Sequence, residues 1–182
     1  VVLDGKTMWL GRRPYDVPLH RRPWRQRTVV GSLHPPVAAA MARLAHLAPG
    51  HRVLDPYCGA GTLLIEAGLL EPRAQYTGFD RDPDAVAAAR ANSPALRLSR
   101  PAGTYDRIIT NPPWGVRLPT GRLPLELLPL RPGGRLVAIL QPEQVAELSR
   151  TWRILEVHDV SVAGRHPRIV VARPYRKRPI PD

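Results

Sequence analysis

Arg52-Val53-Leu54-Asp55-Pro56-Tyr57-Cys58-Gly59-Ala60-Gly61-Thr62-Leu63-Leu64-Ile65 decides the fold of this chain. A short apolar run enters a Gly-Ala-Gly loop, and a longer apolar run leaves it. Read as strand, tight turn and helix, this sets backbone amides at the carboxyl edge of a parallel sheet. Gly59 and Gly61 lack a Cβ, so the turn can be tight and a ligand can approach the backbone. Asp80 stands 19 residues after Gly61 and closes the next apolar run, residues 76–79. A carboxylate in that place accepts from both hydroxyls of a ribose. The loop therefore reads as the seat of a nucleoside cofactor. A nicotinamide dinucleotide competes for it, but the third glycine of Gly-x-Gly-x-x-Gly would fall on Leu64.

The same alternation continues on both sides. Residues 37–47 are Ala-rich, with Val37, Met41, Leu44 and Ala45 at helical spacing. Pro35 and Pro36 suit the first turn of that helix, and Pro49-Gly50 stops it. Strands are expected at 52–54, 76–79, 96–98, 107–110, 135–140, 153–160 and 168–172. Helices are expected at 62–70, 84–92 and 143–150, with a short one at 123–128. Asp82 or Asp84 stands near the start of the second of these. Pro132-Gly133-Gly134 reads as a turn before the fifth strand. The short link through Gly164 makes the last two strands an antiparallel hairpin. The fold class is α/β, Rossmann-like, with a mostly parallel seven-stranded sheet. Residues 32–173 form this domain. An irregular basic linker, residues 1–31, precedes it, and a basic flexible tail, residues 174–182, follows.

A second motif, Asn111-Pro112-Pro113-Trp114-Gly115, follows directly on the apolar Ile108-Ile109-Thr110. It reads as a loop that grips an amino group on a flat ring. Such an amine is a poor nucleophile because its lone pair is delocalised into the ring. The Asn111 side-chain carbonyl and the Pro112 backbone carbonyl can both accept from it, which aligns the nitrogen and favours the developing positive charge. Pro112 and Pro113 stiffen the loop, Trp114 can stack on a base, and Gly115 lets the chain turn away. The bland alternative is a proline-rich turn with a core tryptophan.

Together the two motifs resemble the S-adenosylmethionine-dependent methyltransferases that act on exocyclic nitrogens. Asp55-Pro-Tyr-Cys-Gly-Ala-Gly-Thr-Leu-Leu-Ile-Glu-Ala67, the Asn111 loop and Pro18-Leu-His-Arg-Arg-Pro-Trp-Arg25 are similar to the THUMP-associated, UPF0020-type RNA (guanine-N2) methyltransferases. The resemblance covers roughly residues 18–172 and implies the class I methyltransferase sheet. It implies S-adenosyl-L-methionine as cofactor, held by Ser32, Asp55, Cys58, Gly59, Gly61, Thr62, Asp80 and Arg81. In that arrangement Asp55 meets the methionine amine, and Thr62 caps its helix or bonds the carboxylate end. Asn111, Pro112, Pro113 and Trp114 carry the chemistry. The implied product is N2-methylguanosine in tRNA or rRNA. Adenine-N6 methylation of DNA or RNA stays open, as does a decayed, non-catalytic RNA-binding module. No metal is required.

Three features depart from the family. The THUMP domain is absent from this chain, so a separate RNA-recognition partner is expected. Residues 96–101 hold no acid to bond the cofactor's adenine, leaving Ser99 or the backbone for that work. The stretch between Trp114 and Pro132 is short.

The net charge of +12 sits at the ends: residues 1–27 and 163–182 each hold +5. Basic ends on a near-neutral body suit RNA, with Arg21, Arg22, Arg25 and Arg27 as candidate phosphate contacts. Arg outnumbers Lys 25 to 2, a bias that also raises the charge with no ligand involved. No run approaches the ~20 apolar residues of a membrane helix. A single cysteine, Cys58, excludes an internal disulfide framework and suggests a reducing, cytoplasmic setting.

Overall fold

The computed structural model describes residues 2–11, 16–114, 128–162 and 164–175. The main sheet has seven strands: β3 (Arg52–Asp55), β4 (Gln75–Gly78), β5 (Arg97–Leu98), β6 (Tyr105–Thr110), β7 (Leu130–Leu140), β8 (Trp152–Asp159) and β9 (Arg168–Pro174). Their spatial order is β5-β4-β3-β6-β7-β9-β8. The first five are parallel, and β9 runs antiparallel to both β7 and β8. This is the Rossmann-like class I methyltransferase sheet with its antiparallel end, as the strand pattern predicts.

The alternation of side chains along each strand divides the core. Val53, Ile109, Val137, Ile139, Ile169 and Val171 face α1 (Pro35–Leu44) and α2 (Thr62–Leu70). Leu54, Ile108, Leu136, Ala138, Leu140 and Val170 face the other layer, which includes Val145 and Leu148 of α4 (Pro142–Leu148). The inner strands are buried on both faces, which is why they read as continuous apolar runs.

Local chemistry sets the helix ends. Pro35 opens α1, where no N–H is needed. The last carbonyls of α1, Leu44 and Ala45, accept from Arg135 (2.7 Å) and Arg107 (2.7 Å), so two arginines meet the negative end of the helix. The third helix, α3 (Pro83–Asn92), is capped by Asp82, whose carboxylate accepts from the Asp84 N–H at 2.9 Å. Gln141 and Gln144 form a reciprocal capping box on α4.

Two expectations are corrected. Residues 1–31 are not irregular throughout: β1 (Val2–Asp4) and β2 (Thr7–Trp9) form an antiparallel hairpin. Gly5, at φ +54, makes the two-residue turn feasible. Pro132-Gly133-Gly134 lies inside β7 rather than ahead of it. A register irregularity between Tyr105 and Arg107 accompanies it, so the strand absorbs the glycines next to a shifted pairing. The expected helix at 123–128 falls almost wholly outside the described residues, and Leu128 itself is not helical. Gly115 and residues 176–182 of the expected tail also lie outside them. Among the described residues no helix is long and apolar enough to cross a membrane.

Candidate active site

The carboxyl ends of β3, β4 and β6 bring Asp55, Asp80 and Asn111 to one edge. Between them the Gly59-Ala60-Gly61 turn enters α2 through two residues in the left-handed region, Gly59 at φ +51 and Gly61 at φ +81. The left-handed backbone is what favours glycine at 61; a Cβ there would lie 2.9 Å from the tip of the Leu96 side chain, which would have to shift.

Asp55 is 1% exposed. One carboxylate oxygen accepts from the Thr110 hydroxyl at 2.8 Å and from the Tyr57 N–H at 3.1 Å. Burial pushes its pKa up to about 7, the two hydrogen bonds pull it down, and the charge of Asp80 adds to the rise. A buried carboxyl so poised gains most from a cationic partner. Thr110, fully buried, was missed in the sequence because a threonine ending an apolar strand reads as a strand former.

Asp80 fastens the loop. Its two oxygens accept from Gly59 N–H at 2.9 Å and Asp82 N–H at 3.0 Å. Each oxygen keeps a further lone pair. A cavity of about 160 Å³ opens beside it, lined by Gly78, Phe79, Val86, Leu98, Ser99 and Arg100 with Asp80 itself. The mix of apolar wall and one carboxylate suits a nucleoside. Ser99 does line this cavity, but its backbone N–H is taken by Gly78 O at 3.0 Å. Arg81 is exposed. Cys58 is buried, and burial followed by Asp55 and Asp80 pushes its thiol pKa up, so it serves as packing rather than as a nucleophile.

Thr62 does not cap its helix: Gly61 is the N-cap and no side-chain cap bond forms. Its hydroxyl is instead buried without a partner. Asn111 holds the second orphan. Its amide donates to Gly31 O at 3.2 Å, which leaves the side-chain oxygen buried and unpartnered. A buried acceptor costs free energy until something donates to it. Pro112 is buried and Pro113 is exposed, its carbonyl accepting from Gln144 at 3.3 Å. The Trp114 indole N–H donates to Ile139 O at 3.2 Å, and its ring packs partly on the α1–α2 side of the core.

Residues 18–34 form a strap over this edge rather than a free linker. Asn92, 5% exposed, clamps it: its oxygen accepts from Gln26 and Arg27 N–H, and its amide donates to Arg27 O and Ala60 O, all at 2.8–2.9 Å. An asparagine ending an Ala-rich helix carries no signal of this in the sequence. Arg22 departs from the phosphate-contact expectation. Its guanidinium grips Glu66 at 2.7 and 3.1 Å and Leu19 O at 2.7 Å, neutralising a carboxylate that is 5% exposed on the apolar α2. Arg21 and Arg27 are exposed, and Arg25 is half-buried. The Ser32 hydroxyl accepts from Val29 N–H at 3.0 Å, and Ser32 lines a cavity other than the one beside Asp80. Among the described residues no cluster is arranged to hold a metal ion.

Residues 22–99, which include the strap, the Gly loop and Asp80, match the model of the RMKL-like UPF0020 methyltransferase domain. Over that stretch the chain is similar to that family. Its tRNA (guanine(6)-N2)-methyltransferase relative from Thermus thermophilus is 32% identical over 94% of the chain. The crystal structure of TrmN from the same organism superposes with a TM-score of 0.66 at 30% identity, covering 80% of this chain. The chain spans 58% of the first relative and 50% of the second. A precorrin-6y C5,15-methyltransferase from Geobacter metallireducens shares the fold alone, with a TM-score of 0.66, 16% identity, and coverage of 81% of this chain and 93% of that one.

Proposed function

We propose that this chain transfers a methyl group from S-adenosyl-L-methionine to an exocyclic amine of an RNA base, with guanine N2 in tRNA or rRNA as the target. The observation that carries the reading is the buried, unpartnered oxygen of Asn111 at the end of β6. The residues around it fit the cofactor on their own chemistry. The Asp80 cavity takes the nucleoside, with the remaining carboxylate lone pairs for its ribose. Asp55 supplies the buried carboxylate for the amine, and the orphan Thr62 hydroxyl serves the polar end of the same molecule. When bound, the cofactor supplies an electrophilic methyl group.

The chain does the rest. Asn111 Oδ1 accepts from the base amine, which fixes the nitrogen and stabilises the positive charge that grows on it. Pro112 and Pro113 hold the backbone of the loop so that this acceptor is placed before substrate arrives. No strong base is needed, because the amine proton leaves after its nitrogen has become cationic. The target base must leave any helix to reach this edge. Recognition of the rest of the RNA is assigned to a separate partner or module. The relatives named for tRNA guanine-N2 methylation support this choice of substrate.

The test is single-turnover methyl transfer to bulk RNA from a strain lacking the enzyme, with modified nucleosides identified by mass spectrometry. N2-methylguanosine is the expected product. N6-methyladenosine would replace the guanine reading, and no transfer with intact cofactor binding would favour a non-catalytic module.

A further inference from the structure

A second open cavity, of about 370 Å³, lies on the opposite side of Asn111 from the Asp80 cavity. Arg25, Ser32, His34, Val37, Ser161 and Val162 line it. Its position follows from the topology. The link between β8 and β9 emerges at the carboxyl edge, because Arg168 at the start of β9 pairs with Leu140 at the end of β7. Ser32 follows Gly31, whose carbonyl takes the Asn111 amide. The cavity is therefore the strap-side neighbour of the proposed reacting loop.

Its chemistry is that of an anion site. None of the six lining residues is acidic, and the first turn of α1, which it adjoins, holds no acid. The Nε of Arg25 is buried and has no hydrogen-bond partner. That contrasts with Arg22, three residues earlier, whose fork is filled by Glu66. The His34 and His20 rings lie 5.2 Å apart at 33°. Desolvation, then the charges of His20 and Arg25, lower the pKa of His34. Ser32 and Ser161 add hydroxyls, and Val37 and Val162 make an apolar wall.

We infer that this cavity is a subsite for one phosphodiester of the RNA flanking the methylated nucleotide, held by Arg25 with the two serine hydroxyls and with its ribose against the valines. The inference rests on the RNA reading above. Arg25 is half-buried at the cavity wall with its Nε unpartnered, and a guanidinium is the side chain that suits a phosphate bidentately. A phosphate gripped here fixes the position of the neighbouring base relative to Asn111 while reading no sequence itself.

The experiment measures binding of bulk tRNA from a strain lacking the enzyme to the full chain saturated with S-adenosylhomocysteine, across a salt series. Arg25→Gln is expected to weaken binding by about 5–30-fold and to lower the magnitude of the salt slope by about 1, the share of one phosphate. Arg25→Lys, which keeps charge but loses the fork, should fall between. Ser161→Ala should weaken binding by a few-fold. Arg90→Gln removes an equal charge from the exposed face of α3 and should leave the slope unchanged. Cofactor-product affinity reports folding in every variant, and Arg25→Lys keeps the test in force if Arg25→Gln does not fold. If Arg90→Gln lowers the slope as much as Arg25→Gln does, the effect is overall charge and the subsite falls. If the parent methylates RNA but both Arg25 variants match it in affinity and slope, the subsite falls while the enzyme reading stands. If the parent neither binds nor methylates the RNA, both fall together.

Discussion

The two halves of the carboxyl edge are built differently. On the β3–β4 side, Asp55 and Asp80 are tied into the loop by bonds to Tyr57, Thr110, Gly59 and Asp82. Most of these partners are close in sequence or on the adjacent strand, so the loop is set before any ligand binds. On the β6–β7 side the contacts are long-range. Asn111 reaches Gly31, 80 residues away, and Trp114 reaches Ile139. The oxygen of Asn111 is left unpartnered. On the proposed reading, one half is a seat for a ligand of constant shape, and the other keeps an unsatisfied group for a substrate that must be aligned.

The largest effect should come from breaking the unsatisfied half. Asn111→Ala is expected to cut single-turnover methyl transfer by roughly 10²-fold or more, as for loss of a hydrogen-bond acceptor that works in the transition state. S-adenosylhomocysteine affinity should stay nearly unchanged by calorimetry. Equal transfer by the variant would make the loop a structural turn.

Breaking the other half should reverse the pattern. Asp80→Ala is expected to weaken S-adenosylhomocysteine by about 1–3 kcal/mol through lost charge-assisted hydrogen bonds. It also frees the Gly59 N–H, so some loop order is lost with the ligand contact. RNA affinity should hold. Tight binding of a nicotinamide dinucleotide in place of the methionine-derived ligand would overturn the cofactor assignment.

Asp55 sharpens the comparison through pH. Its native pKa, near 7, lies above the ordinary carboxylate value. The native state therefore holds this proton more tightly than the unfolded chain does. The stability this contributes is full below the unfolded pKa and is lost as pH rises through about 7. Ligand binding should run the other way, since a cationic amine needs the ionised carboxylate. Affinity for S-adenosylhomocysteine is expected to rise by about tenfold between pH 6 and 8. Asp55→Asn should flatten both the stability and the affinity profiles. A parent profile as flat as the variant's would mean that Asp55 is already ionised or plays no part.

This contrast also explains what could be read without coordinates. The strand and helix periodicity, the Gly59–Gly61 turn and the place of Asp80 follow from local rules, and a mostly parallel sheet with an antiparallel end follows from them. The β1–β2 hairpin did not, because its strands are three residues long and lack a period to detect. Nor did the position of Pro132-Gly133-Gly134, which lies in the irregular stretch of β7 between the Leu130 and Arg135 pairings to β6. The Arg22–Glu66 pair, the Asn92 clamp and the Thr110–Asp55 bond join residues 44, 66 and 55 apart. Each residue type had a bland local explanation, so nothing in the chain marked it. Arg22 shows the cost of that: in a run of arginines, the one with a buried acidic partner looks like its neighbours.

Trp114 stands three residues after Asn111, and the smallest effect is the one that resolves its role. The indole N–H is spent on Ile139 O, and the ring is partly packed on the core. A stacking platform needs only a flat ring, whereas an anchor to β7 needs the N–H. Trp114→Phe keeps the first and removes the second. As an anchor, it should lose about 1 kcal/mol of stability, the usual net worth of one hydrogen bond, with RNA affinity falling in step. As a platform, it should bind RNA much like the parent, while Trp114→Ala loses about 1–3 kcal/mol of stacking. Denaturant titration beside RNA binding separates the two. The hydrogen bond to Ile139 favours a combined outcome, in which the anchor holds one edge of the ring and leaves the rest to meet the base. That outcome requires Trp114→Phe to lose stability yet keep most of the affinity. A phenylalanine variant with parental stability and parental affinity would leave the indole N–H with no measurable work.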